Sequence, residues 1–183
     1  MHDRDASDEA LLRAHASGDP AAFEALFRRH HPALVRHLER MLRERAAAED
    51  LAAESFVRLH RHAGRLRAGS MVRPWLCTIA RNLASNRLRR ERLRGWLPLG
   101  TLDGAAGVSS PSPVASAEHR IIRAFATLPV RQREVCSLRL VAGLELGEIA
   151  DVTGVSLGTV KSRLFYGQRR LRALLADLDP ADG

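Results

Sequence analysis

A chain of 183 residues with a hydrophobic fraction of 45% can build two small packed units or one of ordinary size. No run approaches about 18 uninterrupted apolar residues, which excludes a membrane-spanning helix. Cys77 and Cys136, the two cysteines, form no CxxC pair, which argues against a disulfide framework or a zinc site and for a reducing compartment. The formal net charge of +8 favours a polyanionic partner. That charge lies in two basic blocks, residues 1–94 and 118–178, on either side of an almost uncharged stretch. Aromatic residues make up 4%, so the core rests on Leu, Ala, Val and Ile, a composition that suits helices.

In chain order, Ser7 and Asp8 can cap a short helix carrying Leu11 and Leu12. The acidic residues Asp3, Asp5, Asp8 and Glu9 read as a solvated tail with no secretory signal pattern. Gly18-Asp19-Pro20 reads as stop, N-cap and first helical residue. Phe23, Leu26, Phe27, Leu34, Leu38, Met41 and Leu42 then recur at three- and four-residue steps and predict a long helix, which Pro32 should bend. A third helix is predicted over 47–62, with Leu51, Phe56 and Leu59 on its apolar side. A loop over 64–72 follows, and Pro74 opens a fourth helix that ends in the basic run Arg87, Arg89, Arg90, Arg92 and Arg94. Trp75, in the first turn of that helix, reads as core. Gly, Pro, Ser and Ala dominate residues 95–117 without periodicity, which predicts a linker.

Beyond it, helices are predicted at 118–127, 129–141, 146–153 and 156–176, punctuated by Pro129, Gly143 and Gly154. No strand pattern occurs. The expected fold is all-α, with two small helical domains, 8–94 and 118–178, joined by a flexible linker and each able to fold without the other.

The C-terminal block has the organisation of a helix-turn-helix. Ile149 and Ala150 face the core, Gly154 permits a tight turn, Val155 plugs the junction and Ser156 caps the second helix. Val160, Leu164 and Leu171 form the buried stripe of that helix. Its opposite face presents Gly158, Thr159, Lys161, Ser162, Phe165 and Tyr166. Small and polar groups at a helix start let it enter a major groove closely, and Lys161 can reach a phosphate or a guanine edge. Arg139, on the preceding helix, is placed to clamp backbone phosphate. The same pattern suits a stand-alone regulator, so the N-terminal block has to decide. A nucleic-acid enzyme finds little support. There is no HExxH, no phosphate-cradling glycine loop and no nucleophile elbow. No catalytic residue, metal ligand set or cofactor is expected.

The stretch LPVRQREVCSLRLVAGLELGEIADVTGVSLGTVKSRL resembles the fourth conserved region of bacterial RNA polymerase sigma factors. AAAEDLAAESFVRLHRHAGRL resembles the core-binding helix of their second region, and RPWLCTIARNLASNRLRR resembles the next helix, which captures and melts the minus-ten element. The two motifs, in this order and without room for regions one and three, resemble the extracytoplasmic-function (ECF) group over roughly residues 8–176. The resemblance implies a cytoplasmic, non-enzymatic factor that directs promoter-specific initiation. Its implied partners are the β and β′ subunits of core RNA polymerase and promoter DNA, as duplex and as non-template single strand. An anti-sigma factor is a further candidate partner.

Carried over residue by residue, polymerase binding falls to Asp50, Leu51, Glu54, Phe56 and Leu59, with Ala53 where the family often has Gln. The loop 66–73, through Leu66, Arg67, Ser70 and Arg73, would wall the pocket for an everted base that Asn82 contacts. Asn86, where Asp is frequent, and Arg89 and Arg90 would extend that surface. Arg139, Lys161, Ser162 and Phe165 match positions that contact the minus-thirty-five element, with Ser156, Gly158 and Thr159 at the helix start. Tyr166 stands where Arg is common and Gly167 where Ala is, and a mid-helix glycine should cost about 1 kcal/mol relative to Ala.

Overall fold

In a computed structural model of the chain, residues 6–65, 71–94 and 117–176 are described, and every regular element among them is helical. Helix α1 spans Asp8–Ala16. The Ser7 hydroxyl accepts from the Ala10 N–H at 3.2 Å, and Asp8 and Glu9 place negative charge in the first turn, where the helix dipole favours it. Gly18 takes a φ of +98°, the Asp19 carboxylate accepts from the Ala21 N–H at 2.9 Å, and Pro20 opens α2, Pro20–Leu42. Pro32 lies inside this 23-residue helix without ending it. Arg43 closes α2 in the left-handed region at φ 64°, its N–H bonded to the Glu39 carbonyl at 2.8 Å.

Helix α3 covers Arg45–His62 and runs into a single 3-10 turn, Ala63–Arg65. Helix α4, Val72–Leu93, starts two residues ahead of Pro74, which therefore sits in the first turn, where a missing N–H costs nothing. The C-terminal block holds α5 (Ala117–Ala126), α6 (Val130–Leu140), α7 (Leu146–Thr153) and α8 (Leu157–Leu175). Buried Arg133 ties α5 to α6 by donating to the carbonyls of Phe125, Ala126 and Leu128 at 2.9–3.0 Å. Burial, with Arg43 nearby, lowers its guanidinium to about 10, still charged at neutral pH.

The two blocks pack on each other. Helix α2 meets α5 and α6, and α4 meets α7. One buried cluster takes Leu26, Leu34, Leu38, Phe56 and Leu76 from the N-terminal block and Val135, Leu138, Leu144, Ile149 and Val160 from the C-terminal one. A smaller cluster of Ala124, Phe125, Leu128, Cys136 and Leu171 closes α5 against α6 and α8. The sequence led us to expect each block to close on its own core. Instead α2 and α4 carry apolar stripes wider than α1 and α3 cover, and the remainder meets the C-terminal block.

The seam between the blocks is unusually polar for buried surface, as interfaces between domains tend to be. His37 Nδ1 and Ser137 Oγ lie 2.8 Å apart, and both side chains are fully buried. Arg81 pairs with Glu134 at 2.6 Å, Arg43 donates to the Ala126 carbonyl at 2.8 Å and Arg73 donates to the Gly143 carbonyl at 3.1 Å. Arg40 lies over the Phe125 ring, 5.9 Å from its centroid. Burial, reinforced by the charge of Arg40, pulls His37 down to about 4, so the imidazole is neutral at physiological pH.

Two further expectations need correction. Asp8 does not belong to a solvated tail: its carboxylate pairs with Arg29 at 2.6 Å and His30 at 2.7 Å, joining α1 to α2. Burial pushes that carboxyl up, but hydrogen bonds from His30 and Arg29 and their charge more than offset it and bring it to about 2. Asp3 and Asp5 lie outside the described residues. The second is Gly167, where helix propensity alone predicts only a cost. It is buried where α8 crosses α6, and a Cβ there would collide with Cys136 Sγ, so this close crossing requires glycine. Burial raises both thiols, Cys77 to about 12 and Cys136 to about 11, and keeps them protonated.

Candidate nucleic-acid interface

The helix-turn-helix is assembled by local chemistry. Glu148 Oε2 accepts from the Glu145 N–H at 2.7 Å at the start of α7. Gly154 ends that helix at φ 70°, its N–H bonded to the Ala150 carbonyl at 2.8 Å, and Val155 half-buries in the turn. Ser156 Oγ then accepts from the Thr159 N–H at 3.3 Å and lies 3.0 Å from the Thr159 hydroxyl. Val160, Gly167 and Leu171 face inward. The outer face exposes Ser156, Gly158, Lys161, Ser162, Phe165 and Tyr166, with Thr159 half-buried.

Several of these groups are already engaged. The hydroxyls of Ser156 and Thr159 serve the cap, and Ser162 Oγ donates to the Thr159 carbonyl at 3.0 Å. Arg139 donates to the Leu144 carbonyl at 3.0 Å and pairs with Glu145 at 2.9 Å, which stiffens the lead-in to α7. On the outer face this leaves Lys161 for charge and the T-shaped pair Phe165–Tyr166, 5.4 Å between centroids, for apolar contact. Leu157, 43% exposed at the head of α8, belongs to the same face. Sequence reading missed it because an apolar residue there looks like core.

In the N-terminal block, α3 exposes Asp50 and Glu54 and half-buries Leu51. Glu54 pairs with Arg58 at 2.6 Å. Phe56 and Leu59 are 2% and 0% exposed, so they fix α3 to its neighbours and present no surface to a partner. The exposed apolar residue on this helix is Val57, one place from the Phe56 that the family motif marks. Helix α4 lines up Asn82, Asn86, Arg89 and Arg90, all exposed, at steps of three and four. Asn86 Oδ1 accepts from Arg89 at 3.4 Å. Arg73 is exposed, yet it reaches across to Gly143 in the C-terminal block. Leu66, Arg67 and Ser70 lie outside the described residues. Trp75 is half-buried and packs on the core with its ring 6.2 Å from that of His62, so the core reading is the one the packing fits.

An amide-and-guanidinium stripe on α4, an acidic face on α3 and a groove-sized helix in a helix-turn-helix thus share one chain. Residues 26–94 match the family model for sigma-70 region 2, and residues 124–173 match that for sigma-70 region 4. The chain is 36% identical over 178 residues to the ECF RNA polymerase sigma factor SigM of Mycobacterium tuberculosis, covering 97% of this chain and 88% of that one. It is 34% identical over 163 residues to the RNA polymerase sigma factor CarQ of Myxococcus xanthus, covering 88% and 94%. Among solved structures, CnrH in complex with the cytosolic domain of CnrY superposes with a TM-score of 0.68 at 25% identity, covering 94% and 98%. The sigma factor RpoE of Bartonella quintana, solved with the anti-sigma factor NepR, shares the fold with a TM-score of 0.69, covering 84% and 96%. Fold, paired regions and relatives agree: the chain belongs to the ECF group of the sigma-70 family, whose members direct promoter-specific transcription initiation.

Proposed function

We propose that residues 8–94 act as region 2 and residues 118–178 as region 4, with 95–117 as the connection between them. Region 2 binds core polymerase through the acidic face of α3, where Asp50, Glu54, Leu51 and Val57 offer acceptors and apolar surface to the β′ subunit. Helix α4 then takes the melted minus-ten strand: Asn82 reads an everted base, and Asn86, Arg89 and Arg90 follow the backbone beside Arg73. Region 4 docks on the β subunit and enters the major groove of the minus-thirty-five element with α8. Lys161 supplies charge and Phe165 and Tyr166 apolar contact, while Arg139 and the Ser156 cap hold the helix in place. The place of action is the cytoplasm, where a bacterial promoter lies. An anti-sigma factor as inhibitory partner is supported by the likeness in fold to the RpoE chain solved with NepR.

One observation carries this reading. A single chain combines the α8 face with the α4 stripe, and a stand-alone helix-turn-helix regulator has no use for the second. Run-off transcription on a genomic promoter library, with core polymerase added, tests it. The full chain should yield discrete start sites, and the Asp50→Arg/Glu54→Arg double variant should lose core binding in a pull-down. Promoter binding with no transcript under any condition would return the chain to the stand-alone regulators.

A further inference from the structure

His15, in the last turn of α1, and His60, in the last turn of α3, are 45 residues apart in sequence. Their nitrogens Nε2 and Nδ1 lie 3.1 Å apart. Both rings rest on Phe23, with centroids 4.7 and 5.5 Å from it, which holds them against free rotation. We propose that this pair is a binding site for a divalent transition-metal ion of the zinc, nickel and copper class, which would staple α1 to α3.

Three observations support it. An ion bonded to both nitrogens at about 2.05 Å would subtend an angle of about 98° across a gap of this size, between the square-planar and tetrahedral values. The ring centroids are 5.0 Å apart. That is nearer the roughly 4.8 Å expected when both nitrogens face one ion than the roughly 5.4 Å of a head-on N–H···N hydrogen bond. Finally, the C-terminal ends of two helices converge here, and their carbonyl dipoles favour a cation.

No group of three or more His, Cys, Asp or Glu side chains that could hold a metal occurs among the described residues, so water completes the coordination. The staple would fasten α1 to the C-terminal end of α3 and leave Asp50 and Glu54 untouched, three and two turns away along the helix. It is independent of the promoter assignment.

Calorimetric titration of the full chain with zinc chloride tests the site, in a His2→Ala background because a terminal amine beside a histidine chelates metal by itself. We expect about one equivalent to bind, with affinity reduced at least about tenfold by His15→Ala or by His60→Ala and unchanged by His62→Ala. Zinc should raise the melting temperature of the parent and not that of the two site variants. Copper(II) electron paramagnetic resonance in the same His2→Ala background, with His15 and His60 both intact, provides a readout independent of their substitution, and should show coupling to two imidazole nitrogens. Absence of saturable binding, binding that survives loss of both histidines, or a one-nitrogen copper spectrum would each overturn the site.

Discussion

The buried contact between His37 and Ser137 ties two blocks whose sequences lie 100 residues apart, and it carries a definite pH signature. In the folded chain His37 titrates near 4, against 6.5 when exposed to water. The native state therefore keeps it neutral, and between those values the unfolded state binds more protons. Above pH 6.5 the residue costs nothing. Below it, the folded state loses up to about 1.4 kcal/mol per pH unit until the loss levels off near pH 4. Between pH 7 and pH 5 that amounts to about 2 kcal/mol. A His37→Gln variant keeps a side chain able to bond Ser137 and has no proton to gain. Urea unfolding of both proteins at pH 7, 6 and 5 gives the comparison, because every other titrating group cancels in the difference. Wild type should lose about 2 kcal/mol more than the variant over this range. Parallel stability curves would refute a buried, neutral His37 and with it the described seam.

Other expectations follow from the same packing. Asp8→Asn should destabilise the chain by about 1–2 kcal/mol at neutral pH, and the difference from wild type should vanish as pH falls from about 4 towards 2, because a carboxylate held low in the fold contributes only while ionised. Gly167→Ala should cost about 1–3 kcal/mol despite the better helix propensity of alanine, and adding Cys136→Ala should recover most of the loss in a thermal melt; a fully stable single variant would remove the close crossing of α6 and α8. Residues 117–176 expressed alone expose Val135, Leu138 and Leu144 to water, so their urea midpoint should lie well below that of the same helices in the full chain, and equal midpoints would show that the shared core contributes nothing.

What the sequence disclosed was local. The Ser7, Asp19 and Ser156 caps, Pro20 at a helix start and the positive φ of Gly18 and Gly154 each depend on neighbours within four residues, and each is where the spacing places it. What it hid depends on contacts across the fold. A histidine on an apolar stripe reads as core, so nothing at His37 announces a partner at Ser137. Helix propensity penalises Gly167, because only the packed helices reveal the sulfur it faces. A family motif marks Phe56 and Leu59 without saying which side of α3 they occupy, and both turn inward while Val57 takes the surface. Arg139 reads as a phosphate clamp until its carbonyl and carboxylate partners come into view.

The polar seam has a consequence for reach. On the assignment proposed above, α4 and α8 address promoter elements about 25 base pairs apart, or some 85 Å of duplex. A compact body of roughly 150 residues is only about 40 Å across. The 22 residues from 95 to 116, drawn out straight, span about 70 Å. The chain can thus bridge both elements only after the blocks part, which breaks His37–Ser137 and Arg81–Glu134 and frees Arg73 from Gly143 for the open strand. Promoter affinity is then the intrinsic affinity reduced by the fraction of molecules that stand open. A substitution that merely loosens the seam would strengthen binding to every promoter at once, without touching a single base contact.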